Sequence, residues 1–204
     1  MPKHSHSLLC LGDSYTIGEG VPLYNSFPYL AVQQLRSKNY HFHAPEVLAK
    51  TGWTTFELAE KVLHTAFNPP YDFVTLLIGV NNQYRNLPID EYGSDMEFLI
   101  RKAIHFAGEK SSNVIVLSIP DWGRSPFALE KEPAKIAKAI EAFNTCNRQL
   151  AQKMATSYID ITSGDGNVEP GVERYTNDGL HPSAIEYSRW ATLLANSVKP
   201  LMKH

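Results

Sequence analysis

Three short segments of this sequence carry side chains able to do covalent chemistry. Gly12-Asp13-Ser14 follows the apolar run Leu8-Leu9-Cys10-Leu11, and a serine on such a turn becomes a nucleophile once a base takes its proton. His181, in Asn177-Asp178-Gly179-Leu180-His181-Pro182, is the base on offer, because imidazole exchanges protons near neutral pH. Its second ring nitrogen needs an acceptor to orient the ring, and Asp178, three residues earlier across a turn that Gly179 permits, can supply one. The third segment, Ile78-Gly79-Val80-Asn81-Asn82, offers the Asn81 amide to a developing oxyanion. Gly52 and Ser14 can add backbone N–H groups. Taken singly, each segment has a plain alternative. Gly-Asp-Ser is ordinary turn and cap chemistry, the His181 segment fits a loop ahead of a helix, and Gly52 and Asn81 are common turn residues.

What separates the readings is where the elements put these residues. The runs Ser7–Gly12, Glu46–Lys50, Phe73–Ile78, Asn113–Ile119 and Ser157–Ile161 predict five strands, several of them continuously apolar as doubly covered parallel strands are. Helices are predicted over Phe27–Ser37 and Thr55–Phe67, within Asp90–Ala107, and from near Pro182 toward Lys199. A long amphipathic helix follows Pro133, with Ile136, Ala137, Ile140, Phe143, Leu150 and Met154 near helical spacing. Asn68-Pro69-Pro70 stops the second helix. The alternation implies an α/β fold with a five-stranded parallel sheet covered by helices on both faces. Ligands of such sheets bind beyond the carboxyl ends of the strands. Ser14, Gly52 and Asn81 all follow strands, and Asp178 and His181 share a late loop. Their joint placement points to catalysis.

The chain resembles the GDSL (SGNH) hydrolase family. Gly12-Asp13-Ser14 is similar to the first block of that family, Gly52 to the glycine of the second, Gly79-Val80-Asn81 to the third, and Asp178-Gly179-Leu180-His181-Pro182 to the last. The blocks stand in family order. The resemblance implies a triad of Ser14, His181 and Asp178 and an oxyanion hole of the Ser14 and Gly52 N–H groups with the Asn81 side chain. It also implies a three-layer α/β/α fold of flavodoxin-like type. Many members carry aspartate where this chain has Asn82, a residue assigned here to support of the loop, as Asp13 is to support of the nucleophile turn. The family spans esterases, lysophospholipases, thioesterases and carbohydrate O-acetylesterases.

Bulk properties narrow the setting. The 204 residues fit one domain, 1–204, with 43% hydrophobic and 20% charged residues and a net charge of −2. That balance gives no footprint for nucleic acid. Cys10 and Cys146 read as free, buried or half-buried thiols, and neither a secretory signal nor a bilayer-crossing stretch is recognised, so a soluble cytoplasmic protein is expected. Near the site, Trp122, Phe127 and Tyr84 are candidate apolar walls, Arg124 a candidate partner for an anionic group, and Arg85 a similar neighbour. His41 and His43 have metal-like spacing without a third ligand and read as an exposed edge, and His4 and His6 as a mobile terminus. There is no Gly-x-Ser-x-Gly elbow and no Walker A loop, and Gly18-Glu19-Gly20 lacks the third glycine of a dinucleotide fingerprint.

The leading expectation is a serine hydrolase of small or lipid-derived acyl esters, lysophospholipase- or esterase-like, with a small-molecule ester as partner and no metal or cofactor. A carbohydrate O-acetylesterase is the alternative within the same chemistry. A flavodoxin-like domain that holds phosphate or flavin on the loop after strand 1 is the non-enzymatic one.

Overall fold

In the computed structural model, which describes residues 5–162 and 173–202, the five apolar runs become β1 (Leu8–Gly12), β2 (Glu46–Ala49), β3 (Phe73–Leu77), β4 (Val114–Leu117) and β5 (Ser157–Ile159). All pair in parallel, in the order β2-β1-β3-β4-β5. Every residue of β1, β3 and β4 is buried, whereas the edge strands β2 and β5 keep partial exposure. The continuous apolar runs are therefore the central strands.

The helices are α1 (Ser14–Ile17), α2 (Phe27–Arg36), α3 (Thr55–Leu63), α4 (Val80–Tyr84), α5 (Ile89–Phe106), α6 (Pro133–Lys153) and α7 (Ala184–Val198). Parallel crossovers are right-handed, so the direction of travel across the sheet decides which face a helix covers. The step from β1 to β2 runs one way and places α2 on one face. The steps β2 to β3, β3 to β4 and β4 to β5 run the other way and place α3, α5 and α6 on the opposite face. The packing follows, with α2 against α7 and α5 against both α3 and α6. No helix among the described residues is long and apolar enough to cross a membrane.

The structure departs from the sequence reading in three places. The short helices α1 and α4 stand where loops were expected, one turn each and too brief to show a 3.6-residue period. Helix α3 stops at Leu63 instead of reaching Phe67, because Leu63 and His64 face solvent and give a further turn nothing to pack on. Phe67 instead turns onto the Phe106 ring, centroid to centroid 4.5 Å. His6, expected in a mobile terminus, is held: its N–H donates to the His41 carbonyl, it accepts from the His43 N–H, and its ring packs on Phe42 and Phe73. The short pairing with Phe42 anchors it. His4 lies outside the described residues. His41 and His43 are exposed on either side of buried Phe42. Both thiols are free, and burial pushes that of Cys10 up to about 12.

Gly79 joins β3 to α4 with φ at +130°, and a Cβ there would stand 2.5 Å from the Tyr92 ring. Tyr92 cannot withdraw easily, since its hydroxyl donates to Asn147 Oδ1 at 2.7 Å inside the core. Gly79→Ala therefore adds backbone strain to overpacking, and chemical denaturation should report a loss of about 3 kcal/mol.

Candidate active site

The nucleophile turn is made by the strand that precedes it and the carboxylate that caps it. Where β1 ends at Gly12, Asp13 takes the N-cap position of α1 and its Oδ1 accepts the Tyr15 N–H at 3.0 Å. Ser14 is thereby the first helical residue, 4% exposed, at the carboxyl edge of the central strand. Asp13 itself is fully buried, and its Oδ2 has no hydrogen-bond partner among the described residues. Burial pushes this carboxyl from 3.8 up to about 7, opposed only in part by the Tyr15 N–H and its own.

The base arrives from the other end of the chain, ahead of α7. Nε2 of His181 lies 3.0 Å from Ser14 Oγ, and its Nδ1 lies 2.6 Å from Asp178 Oδ2. With Asp178 ionised, Nδ1 carries the proton and donates, which leaves the Nε2 lone pair to accept from the serine hydroxyl. Asp178 Oδ1 accepts from the Leu180 N–H (2.8 Å), the His181 N–H (2.9 Å) and the Thr176 hydroxyl (2.8 Å). Partial burial raises the Asp178 carboxyl, but hydrogen bonds from the His181 ring, the two amides and Thr176 outweigh it. They hold the group well below the ordinary carboxylate value. The turn is stitched at both ends, by Thr176 N–H to the His181 carbonyl (2.8 Å) and Gly179 N–H to the Thr176 carbonyl (2.9 Å). The Tyr15 ring lies against that of His181, centroids 5.1 Å apart.

The oxyanion candidates sit across from this pair. Trp53 N–H donates to the Lys50 carbonyl, closing a turn in which Gly52 has φ at +82°, a conformation that favours glycine. Arg85 donates through Nη2 to the Gly52 carbonyl at 2.5 Å, which holds the turn, and the N–H of Gly52, in the preceding peptide, has no acceptor among the described residues. Asn81, in α4, gives one Nδ2 proton to the Trp53 carbonyl at 3.0 Å, so its amide is oriented and keeps a second proton. Its neighbour Asn82 is buried and clamps Thr55, accepting the Thr55 N–H at 3.0 Å and donating to its hydroxyl at 2.8 Å. Asn82 therefore ties α4 to the start of α3.

Ser14, His181, Gly52 and Asn81 all line one cleft of about 210 Å³, together with Val80, Tyr84, Trp122, Phe127 and Leu180. The Phe127 N–H donates to the Gly179 carbonyl at 3.0 Å, so the aromatic wall is fastened to the Asp178 turn. Arg124 stands outside this lining, half-exposed, with Nε on Asp121 Oδ2 at 3.0 Å. Arg85, similarly, serves the Gly52 turn and an ion pair with Glu57. Sequence reasoning missed Thr176, Val80 and Leu180. Only Thr176 left a signal, as a hydroxyl two residues ahead of an aspartate in a turn. Among the described residues, no three His, Cys, Asp or Glu side chains are grouped to hold a metal ion.

Residues 10–189 match the family described as the GDSL-like lipase/acylhydrolase family. No curated protein matches the chain significantly by sequence. Among solved structures, it is similar to TesA at 19% identity and TM-score 0.75, over 97% of this chain and 100% of that one. It is similar to the lipase/acylhydrolase from Enterococcus faecalis at 21% identity and TM-score 0.75, over 97% of each chain. It is also similar to a catalytic mutant of Axe2, an acetylxylan esterase from Geobacillus stearothermophilus, at 17% identity and TM-score 0.74, over 97% of this chain and 96% of that one. At these identities the likeness is one of fold.

Asp13 makes stability depend on pH in a defined direction. An acid raised from 3.8 to about 7 keeps in the fold a proton that the unfolded chain has released, so stability falls as pH rises between those values and then levels off. The slope is at most about 1.4 kcal/mol per pH unit. Asp13→Asn keeps the acceptor for Tyr15 and removes the titration. Denaturation midpoints of the two proteins should therefore diverge across that window and run parallel above it.

Proposed function

The chain belongs to the GDSL-like lipase/acylhydrolase family, and from that premise we propose that it hydrolyses carboxylic esters through an acyl-enzyme on Ser14. The observation that carries this reading is the unbroken hydrogen-bonded line from Ser14 Oγ through the His181 ring to Asp178, at the edge of a mostly apolar cleft. His181 Nε2 takes the serine proton as Oγ attacks the acyl carbonyl, and the ionised Asp178 stabilises the imidazolium that forms. The oxyanion accepts from the Ser14 and Gly52 N–H groups and the second Asn81 amide proton, donors already in place before charge develops. His181 returns its proton to the leaving alkoxide. Water then attacks the acyl-enzyme with the same base, and Ser14 is regenerated. A domain that merely holds a phosphate or flavin has no use for a His–Asp pair on the serine, which weighs against the binding-domain reading.

The substrate proposed is a small-molecule acyl ester, as for an esterase or lysophospholipase. The Val80, Leu180 and aromatic lining supports an acyl chain. Deacetylation of a carbohydrate is the second reading, since the exposed Tyr84 and Phe127 rings offer faces on which a sugar can stack and Axe2 shares the fold.

Two experiments test the assignment. Ser14→Ala and His181→Ala, checked for folding by circular dichroism, should lower turnover of p-nitrophenyl acetate and butyrate by about 10⁴ or more. Folded variants that keep most of the activity would show that Ser14 is not the nucleophile. A parallel assay on acetylated sugars separates the two substrate classes. Thr176→Val removes one donor from Asp178, so kcat should fall roughly tenfold with little change in KM. Thr176→Ser, which keeps the hydroxyl, should restore most of it.

A further inference from the structure

We propose that Tyr84 sets the acyl-length limit of this site, its ring acting as a removable partition between the cleft at Ser14 and a larger groove behind it. The inference rests on the reading of Ser14 as an ester nucleophile and adds the substrate class within it, short acyl esters.

The cleft of about 210 Å³ ends at a cluster of three rings. Tyr84 meets Trp122 edge-on, centroids 5.4 Å apart at 68°, and Phe127 lies 6.5 Å from Tyr84 and 6.1 Å from Trp122. On the far side of Tyr84 and Trp122 is a groove of about 430 Å³ between α4 and the first turns of α6. Those two rings are the side chains that line both spaces, so they form the wall between them.

The two halves of the wall are held very differently. Trp122 is 6% exposed and its Nε1 donates to Gln83 Oε1 at 2.6 Å, so displacing it would strand a buried donor and acceptor together. Tyr84 ends α4, is 49% exposed, and its hydroxyl makes no hydrogen bond among the described residues. Little beyond ring contact keeps it in place. It is the half that a substitution can take away without unpairing anything.

Sizes translate this into chain length. The cleft is about half the size of the groove, about 210 Å³ against about 430 Å³. The ester group and the acyl tail must share this smaller space, which favours short tails. Ile136 and Ala139 give the groove apolar surface on its α6 side, and the stems of Lys131 and Lys135 add to it, with Lys131 Nζ over the Phe127 ring and Lys135 paired to Glu132, itself part of the lining. Joined to the cleft, the groove would admit a longer chain.

The test is a series of p-nitrophenyl esters from acetate to dodecanoate, kept below micelle-forming concentrations, on wild type, Tyr84→Ala and Tyr84→Phe. The readout is the ratio of kcat/KM for decanoate to that for butyrate within each protein, which cancels any general change in activity. The wild-type ratio should be well below one, and Tyr84→Ala should raise it by about tenfold or more, while Tyr84→Phe, which keeps the ring, holds the wild-type value. Adding Ala139→Phe to Tyr84→Ala refills the groove and should cancel the gain. A wild type that prefers decanoate, or a Tyr84→Ala protein that hydrolyses butyrate with the wild-type ratio, would overturn the partition and leave ester hydrolysis standing. A folded wild type inert on the whole series would instead remove the reading beneath it.

Discussion

The site depends on a reversal in the winding of the sheet. From β1 the chain first moves outward to β2, then crosses back over β1 to form β3 and continues in the opposite direction. Helices on opposite faces leave the sheet at this point, and the carboxyl ends of β1 and β3 are uncovered side by side. Ser14 follows β1 directly, and Asn81 follows β3 by way of Gly79. Gly52 reaches the same opening from β2, the other neighbour of β1. The order of strands thus brings three segments far apart in sequence to one edge before any side chain is considered.

Electrostatics then differentiates the two carboxylates nearest the nucleophile. Asp13 and Asp178 have the same side chain, yet their surroundings drive them in opposite directions. Asp13 has the Tyr15 N–H and its own as donors, no partner on Oδ2 among the described residues and no solvent, so burial dominates and favours its neutral form. Asp178 is part-exposed and receives four hydrogen bonds, so its charged form is favoured despite partial burial. A carboxylate meant to orient an imidazole must stay ionised, whereas one that caps a buried turn need not.

Much of this was legible in the residues. Continuous apolar runs identify β1, β3 and β4 because strands covered on both faces have no polar side to show. The blocks that carry the family resemblance point to Ser14, Gly52, Asn81, Asp178 and His181, and the structure brings these five together, because each lies at or beside a turn marked by a glycine or a short polar side chain. What the sequence does not show has a common cause. Helices α1 and α4 are shorter than the period by which helices are recognised. The exclusion of Arg124 from the cleft is decided by Asp121, a partner that a linear reading places in the same loop without saying which way either side chain turns. The partition made by Tyr84 and Trp122 joins α4 to the loop after β4, and spacing along the chain carries no trace of it.

The hydrogen bond between Ser14 and His181 spans 167 positions in the chain. The remaining contacts of His181 with Asp178 and Thr176 are local, and the loop 176–181 satisfies its own turn. The contacts that seat this loop on the rest of the fold are long-range: the Ser14 hydroxyl on His181, the Tyr15 ring against it and the Phe127 N–H on the Gly179 carbonyl, with α7, which follows the loop, packed beside α2. The local hydrogen bonds of the loop alone do not bring His181 to Ser14. If Ser14 is the nucleophile as proposed, its reactivity reports closure: it requires that the two ends of the fold have met.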